Sequence, residues 1–396
     1  MADDRPGAGP GASPGPAGRW AVPGLLLAMA CFGLARFSFG FFVPAVRTSL
    51  DLDVSRVGAI GSLSFLGYLA AILASWALTE RFGARLVAIG AGGTAATGFA
   101  LVAALPGLPG LSIGLLIAGM SAALLLPPMV ATATRWSHGP RHDALAITVS
   151  AATALGVALT GPIALLGASR WRPGFAALAA VTIGVTAWFA RRFPGEADRR
   201  SRRLPDDVTT FVDKPPRAMR LVIAASALGV ASSAVWVFGR DTAERHIGLS
   251  PTASGALWVL IGAAGGFAVV TNTLTRRFGR PGAWSLSMGV LALSTALLGT
   301  ASHRGSLAFM AAPAFGASYL ILTVLLLHWG ASLSPDEPVV GLRFALLILV
   351  LAHTAGALLV GEFLEVSEPD TVFMTMAAVA AAGAAIRPDG QPGVEA

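Results

Sequence analysis

The sequence predicts an all-α integral membrane protein, with twelve transmembrane helices arranged in two pseudo-symmetric bundles of six. Hydrophobic residues make up 55% of its 396 residues and charged residues only 12%, whereas a soluble domain carries about 25% charged residues. The apolar residues are gathered into twelve runs, most of them close to the roughly 20 residues that a helix needs to cross the hydrocarbon core. A polar motif also recurs at half the length of the chain. Together these observations favour a duplicated helical bundle in a lipid bilayer.

The apolar runs define the predicted helices in order. They lie at 21–46, 56–79, 86–105, 111–134, 144–168, 174–190, 219–239, 252–274, 283–301, 306–329, 339–361 and 371–386. The sixth and twelfth runs are short, so their helices are expected to rely on tilt or on local thinning of the bilayer.

Polar stretches divide the chain into five predicted parts. The stretch 191–220 holds nine basic and five acidic residues, and it separates the sixth run from the seventh. Residues 1–19 are rich in Pro, Gly, Ala and Asp, which predicts a disordered tail. The predicted parts are a cytoplasmic tail at 1–19, an N-terminal bundle at 20–190, a cytoplasmic linker at 191–218, a C-terminal bundle at 219–386 and a cytoplasmic tail at 387–396.

The basic residues predict the orientation of the helices. If the N-terminus is inside, nineteen Lys and Arg lie on the inner side and seven on the outer side. Because cytoplasmic loops carry an excess of Lys and Arg, both termini are predicted to be cytoplasmic in a multi-pass protein of the cell inner membrane. The net charge of +7 lies mainly in short loops and tails, so it does not indicate a nucleic-acid partner.

A polar motif ends the second apolar run and is repeated at the end of the eighth. It reads SWALTERFGARL at 75–86 and TNTLTRRFGRPG at 271–282, so that Gly83 and Gly279 lie 196 residues apart. Glycine permits a tight turn, and the neighbouring Arg residues suit helix C-terminal carbonyls or a carboxylate. The two copies, which we call the RFG turns (81–83 and 277–279), indicate an internal duplication.

The RFG turns resemble a loop of the major facilitator superfamily with the pattern G-x-x-x-D-R-x-G-R-R, found between its second and third helices and again between the eighth and ninth. Trp76 and Ala84 depart from that pattern. The resemblance implies a secondary transporter whose two bundles rock around a central site by alternating access. The residues that it places in gating loops are Glu80, Arg81, Gly83, Arg85, Arg277, Gly279 and Arg280.

The first apolar run contains LARFSFG at 34–40 and then Pro44. This resembles the opening of bacterial carriers of the YbfB/YjiJ-like branch of the same superfamily. Within the run, Arg36 costs about 2.5–3.5 kcal/mol at a helix centre on insertion scales, so it is expected to have a partner or to face water. Two interpretations stay open. Arg36 binds an anionic group of a substrate, for which its fork of donors is suited, or it pairs with a protein carboxylate such as Glu362.

The resemblance also implies that the first, fourth, seventh and tenth helices line the central path. The candidate substrate-binding residues are Arg36, Phe37, Trp236, Tyr319 and His353. The charged residues that follow the seventh run are expected to form a solvated outer loop rather than a site. They are Arg240, Asp241, Glu244, Arg245 and His246.

The apolar runs carry no Asp or Glu at their centres, although proton-coupled carriers usually place a carboxylate in the membrane. Coupling to protons or another ion is left open, with His353 or a carboxylate at a helix end as the candidates. The sequence has no nucleotide-binding G-x-x-x-x-G-K-[ST] run and no zinc-site spacing, so we expect no catalytic residue, cofactor or metal.

We therefore predict a monomeric secondary active transporter of a small organic solute, with an anionic solute as the candidate suggested by Arg36. One alternative is an exporter of drug-like or hydrophobic metabolites. An alternative of another class is a membrane sensor or scaffold that has the same fold and does not transport. The duplicated RFG turns favour a moving carrier, because a rigid scaffold would not need them.

Overall fold

The computed structural model describes residues 16–136, 141–165, 170–193, 215–303, 305–335 and 337–388. Over these residues all regular structure is helical. Within that part of the chain, nine helical stretches are long and apolar enough to cross a membrane, and one of them, Pro251–Gly299, spans two helices of the bundle. The predicted all-α membrane fold is confirmed.

The N-terminal half contains helices α1 to α6. Helix α1 spans 16–50 and is continuous through a π-helical turn, Met29–Leu34, that joins Pro16–Ala28 to Ala35–Leu50. It begins inside the region predicted to be a tail. The next helices are α2 (Val54–Phe82), α3 (Ala84–Ala104), α4 (Gly107–Trp136), α5 (Arg141–Leu165) and α6 (Trp171–Arg192). Helix α6 has 22 residues, so the expectation that the sixth helix is short was wrong: residues 171–173 and 191–192 extend it beyond the predicted run.

The C-terminal half contains helices α7 to α12. Helix α7 joins Pro215–Ser233, a π-helical turn Ala234–Phe238 and Gly239–Arg245. Helix α8 begins as Pro251–Ala264, continues through the 3₁₀ segment Gly265–Val270, and ends at 278 where Gly279 interrupts Thr271–Gly299. The remainder, 280–299, is α9. The last helices are α10 (Gly305–Leu333), α11 (Pro338–Val366) and α12 (Pro369–Gly383). Residues 1–15, 194–214 and 389–396, which hold most of the predicted tails and linker, lie outside the described residues.

Equivalent residues end or begin equivalent helices in the two halves. Gly83 follows α2 with φ 84° and ψ 157°, and Gly279 follows α8 with φ 69° and ψ 167°. At the other end of the same helices, the side chain of Asp53 accepts a hydrogen bond from the Arg56 amide, and Ser250 does the same for Ala253. We call the end of the molecule with the two RFG turns the RFG end, and the other the opposite end.

The two halves pack through glycine-rich helix crossings. Helix α2 lies along α11, and α5 lies along α8. A methyl group on Gly58 of α2 would meet the Ala357 carbonyl and come within 3.0 Å of the Gly361 Cα atom of α11. A methyl group on Gly262 of α8 would meet the backbone nitrogen of Ala158 in α5. Small residues let helix backbones approach closely in a membrane, so these crossings set the distance between the halves.

Candidate functional site

Arg36 lies at the centre of the molecule, two residues after the π-helical turn of α1. Its side chain is only 7% exposed. Its guanidinium carbon lies 5.1 Å from the ring centroid of Phe37, 5.5 Å from that of Tyr68 and 5.7 Å from that of Phe65. Such cation–π contacts contribute about 0.5–2 kcal/mol each, which offsets part of the cost of burying the charge. The rings accept no conventional hydrogen bond, however, and among the described residues the Arg36 Nε and Nη2 atoms are buried without a partner.

The alternative pairing of Arg36 with Glu362 is not formed. Glu362 lies near the opposite end, where its Oε1 atom accepts a hydrogen bond from the Ser55 hydroxyl. That contact joins the two halves through α2 and α11. Within the described part of the chain no carboxylate contacts Arg36, so its charge is not neutralised by a protein acid.

Trp236 connects the candidate residues of the two halves. Its ring lies against that of Phe37, with 4.2 Å between centroids, and it contacts Tyr319 at 5.0 Å and Phe315 at 5.3 Å. The buried Trp236 Nε1 atom has no hydrogen-bond partner in the part of the chain that the structure describes. The segments Phe37-Ser38-Phe39-Gly40 and Trp236-Val237-Phe238-Gly239 align with each other. The central ring pair therefore joins the first helix of one half to the first helix of the other.

His353 of α11 lies beside this aromatic cluster and is fully buried. Its Nδ1 atom is 2.8 Å from the Leu349 carbonyl oxygen. Because a carbonyl only accepts hydrogen bonds, Nδ1 donates there. The Nε2 atom faces the hydroxyls of Ser232, at 3.1 Å, and Tyr319, at 3.4 Å. The ring also stacks on Phe65, at 4.9 Å between centroids. The structure thus brings all five candidate substrate-binding residues together in one cluster with shared neighbours.

The charged segment that follows the seventh apolar run has a different structure from the one that the sequence predicts. Instead of a solvated loop, Gly239–Arg245 is a helical extension of α7, and Arg240 and Asp241 are buried. Asp241 binds Arg47 of α1 at 2.5 Å and Arg245 at 3.0 Å, while Arg245 donates to the Thr48 hydroxyl at 2.9 Å. These contacts hold the two halves together at the opposite end. The spacing of Asp241 and Arg245, four residues apart, was the helical signal that could have identified them.

Arg240 makes a second connection between the halves. Its guanidinium carbon lies 3.9 Å from the ring centroid of Phe41, and its Nη1 atom donates to the Phe41 carbonyl. The side chain also bonds Glu244, at 3.0 Å, and the Ser254 hydroxyl, at 3.0 Å. Unlike Arg36, Arg240 has both a carboxylate and neutral acceptors, so it is a fully bonded structural residue.

The RFG turns have the same local geometry in both halves. The guanidinium of Arg81 lies 5.3 Å from the ring centroid of Phe82, and that of Arg277 lies 5.4 Å from the ring centroid of Phe278. Arg85 donates from Nη2 to the Ala190 carbonyl, near the end of α6, at 2.7 Å. Glu80, Arg81 and Arg277 are exposed at the RFG end, and Arg280 is half-buried there.

Comparisons with known proteins agree with this architecture. A family model described as Major Facilitator Superfamily matches residues 25–338. No curated protein sequence matches this chain. A mutant of the nucleoside transporter NupG has a TM-score of 0.75 and 13% identity, covering 92% of this chain and 97% of that chain. A D-xylose-proton symporter has a TM-score of 0.72 and 14% identity, with coverages of 92% and 97%. The human organic anion transporter MFSD10 has a TM-score of 0.66 and 17% identity, with coverages of 94% and 100%.

At these identities the solved structures establish the fold alone. The family model, in contrast, spans well over half of the 396 residues. This chain therefore belongs to the Major Facilitator Superfamily, and it is a multi-pass membrane transporter rather than an enzyme.

Proposed function

We propose that this protein transports a small organic anion by alternating access, and that Arg36 binds the anionic group. The observation that carries the proposal is the unpaired edge of the Arg36 guanidinium, buried between the two halves. The Nε hydrogen and one Nη2 hydrogen lie in the guanidinium plane along the same edge, where a carboxylate can accept both. Such bidentate pairs are the strong form of this interaction, and a bound carboxylate supplies the partner that the protein does not.

The energies favour this role over a structural one. A charged arginine at a helix centre costs about 2.5–3.5 kcal/mol on insertion scales, and a residue kept only for packing would not need a charge. A hydrogen bond to a charged group contributes about 1.5–3 kcal/mol, so two such bonds to a ligand would offset the cost. The alternative of an exporter for uncharged hydrophobic metabolites would leave Arg36 without a partner throughout the cycle.

The similar solved structures support solute transport and include one organic anion transporter, which is consistent with the proposal. We also propose the orientation that the basic residues predict: an inner-membrane protein with both termini and the RFG end in the cytoplasm. In this orientation the contacts of Asp241 and Glu362 close the outer side. To complete the cycle, the halves would separate at this outer side, and Glu80 and Arg81 would join them at the RFG end. The proposal also includes three expectations from the sequence. The protein is a monomer, it belongs to the YbfB/YjiJ-like branch, and its transport is coupled to protons or another ion through His353.

Binding of monocarboxylates to the purified protein tests the proposal. Acetate, hexanoate and benzoate should raise the melting temperature of the native protein, whereas the matched amines should not. Arg36→Gln should abolish the effect. Arg56→Gln is the matched control, because Arg56 is an exposed arginine at the surface of α2, and it should respond like the native protein. A response that survives Arg36→Gln would exclude Arg36 as the anion site, and no response to any anion would refute the proposed function.

A further inference from the structure

The central ring pair of Phe37 and Trp236 crosses between the two halves beside the Arg36 site. We propose that the transported anion is a planar aromatic monocarboxylate, whose ring lies between Phe37 and Trp236 while its carboxylate binds Arg36. This inference rests on the proposed function and specifies its substrate class. It is carried by three features of the site: the position of the ring pair, the number of free charges and the unpaired donors.

In the proposed cycle, the ring pair separates when the halves move apart. Phe37 belongs to α1 and Trp236 to α7, and their centroids are 4.2 Å apart. Gly40, one turn along α1, packs directly on the backbone of Trp236, so the two helices touch here without an intervening side chain. When the halves part, both rings lose this contact. A ligand with its own aromatic face would replace the lost contact on both sides, whereas an aliphatic ligand would not offer the stacked or edge-on geometry that rings prefer.

Within the described residues, Arg36 is the one cation whose guanidinium lies over the rings of Phe37, Phe65 and Tyr68. Arg47 is neutralised by Asp241 and Arg240 by Glu244, which leaves Arg36 as the uncompensated arginine among these three buried or partly buried residues. A monocarboxylate would balance it. A dicarboxylate or a doubly charged phosphate ester would bring a second negative charge into a buried region without a partner for it, which is strongly unfavourable.

The unpaired donors lie around the same rings. The ring of Tyr68 lies 5.5 Å from the Arg36 guanidinium carbon. Over the described ranges, the buried Tyr68 hydroxyl and the Trp236 indole nitrogen have no hydrogen-bond partner. Buried donors are normally bonded. Their presence beside Arg36 supplies positions for the carboxylate oxygens or for a hydroxyl or nitrogen substituent on the ligand ring.

Equilibrium binding of three probes to the purified full-length protein tests the inference. Benzoate has the ring and one charge, cyclohexanecarboxylate has the same size and charge without an aromatic face, and terephthalate has the ring and two charges. We expect benzoate to bind at least tenfold more tightly than either of the others. Equal affinities for benzoate and cyclohexanecarboxylate would overturn the inference. If the affinities are equal but Arg36→Gln abolishes the binding of both benzoate and cyclohexanecarboxylate, the proposed function would still stand.

Variants of Trp236 connect the preference to the ring pair. Trp236→Leu should reduce the ratio of benzoate to cyclohexanecarboxylate affinity to near one, and Trp236→Phe, which keeps a ring, should retain most of it. Trp188→Leu is the matched control, since Trp188 lies partly exposed on α6, and it should leave the ratio unchanged. A full preference in a folded Trp236→Leu protein would contradict the assigned ring position. Should Trp236→Leu not fold, the native ratio and that of Trp236→Phe still decide the inference.

Discussion

Among single residues, Gly83 and Gly279 occupy a backbone region that is open to glycine and closed to other residues. Their φ values of 84° and 69° combine with ψ values of 157° and 167°. A side chain in such a region costs about 1–3 kcal/mol. The same conformation occurs at the same position of both halves, so the two turns are a shared requirement of the fold and not an accident of one loop.

Replacing Gly83 with alanine should therefore lower the free energy of unfolding by about 1–3 kcal/mol, measured by denaturant or thermal unfolding in detergent. Gly90→Ala is the control, because Gly90 of α3 has a normal helical conformation and open space around its Cα atom. We expect Gly90→Ala to be neutral or slightly stabilising, since alanine favours helix. Equal stability of Gly83→Ala and Gly90→Ala would show that the turn relaxes without cost.

Replacement of Arg36 distinguishes a role in binding from a role in packing. If the residue serves binding and not packing, Arg36→Met should keep or raise the melting temperature, because it removes a buried charge that costs about 2.5–3.5 kcal/mol. The same variant should lose anion-induced stabilisation and transport. A marked drop in melting temperature, with normal uptake of anions by the reconstituted protein, would instead assign Arg36 a structural role.

At the scale of secondary-structure elements, the extension of α7 carries the contacts that close the opposite end. Asp241 is 7% exposed and its partner Arg47 is 17% exposed, whereas its other partner, Arg245, is 47% exposed. Removing one member of a buried pair typically costs about 3–5 kcal/mol, and exposed pairs contribute about 0–1 kcal/mol. The two ion pairs of one carboxylate should thus differ in strength.

A double-mutant cycle tests this difference. The coupling energy between Asp241→Asn and Arg47→Gln should exceed that between Asp241→Asn and Arg245→Gln, when both are measured by unfolding under identical conditions. Asp241→Asn should also shift the protein away from closure at the opposite end, which distance measurements between spin labels on α1 and α7 would detect. Equal coupling energies would mean that Arg47 is no better protected from solvent than Arg245.

Some features of the helices could be predicted from the sequence and others could not. The helix breaks at Gly83 and Gly279 follow from the local chemistry of glycine, and the apolar runs follow from the bilayer. The loop expected at Arg240 and Asp241 failed because polarity was taken to mean exposure, although a charge can be buried when its partner comes from a distant helix. The π-helical turns at Met29–Leu34 and Ala234–Phe238 have no residue signature. Yet they directly precede or contain residues of the site, where such turns often occur.

Within the site, the role of Arg36 was likewise predicted only in part from the sequence. The sequence identified it as costly and therefore in need of a partner, but it left Glu362 as a possible one. Only the three-dimensional arrangement places Glu362 beside Ser55, nine residues along α11 from His353 of the central cluster. The contact of Phe37 with Trp236 likewise depends on how the halves pack, which no local pattern encodes.

For the whole molecule, the orientation in the membrane follows from the basic residues and is open to a direct test. Cys31 is fully buried, so the native chain offers little background to thiol reagents. Single cysteines at Phe82, on the RFG end, and at Val366, on the opposite end, form a matched pair of exposed apolar positions with 48% and 81% exposure.

In intact cells, a membrane-impermeant maleimide should label Val366→Cys and should not label Phe82→Cys. After permeabilisation both should react. The reverse pattern would place the RFG end outside and overturn the predicted topology. Labelling of both in intact cells would show instead that the reagent enters the cell, and a permeant reagent used alongside would identify that artefact.

The unneutralised charge of Arg36 has an electrical consequence for the whole carrier. An empty site carries one positive charge, and a site holding a monoanion is neutral. Moving one elementary charge through the full membrane potential is worth about 2.3 kcal/mol per 100 mV. Any displacement of Arg36 along the field therefore makes the return of the empty carrier the step that responds to voltage, while the loaded carrier crosses unaffected. A potential that is negative inside would then hold the empty site towards the cytoplasm and set the resting conformation of the molecule.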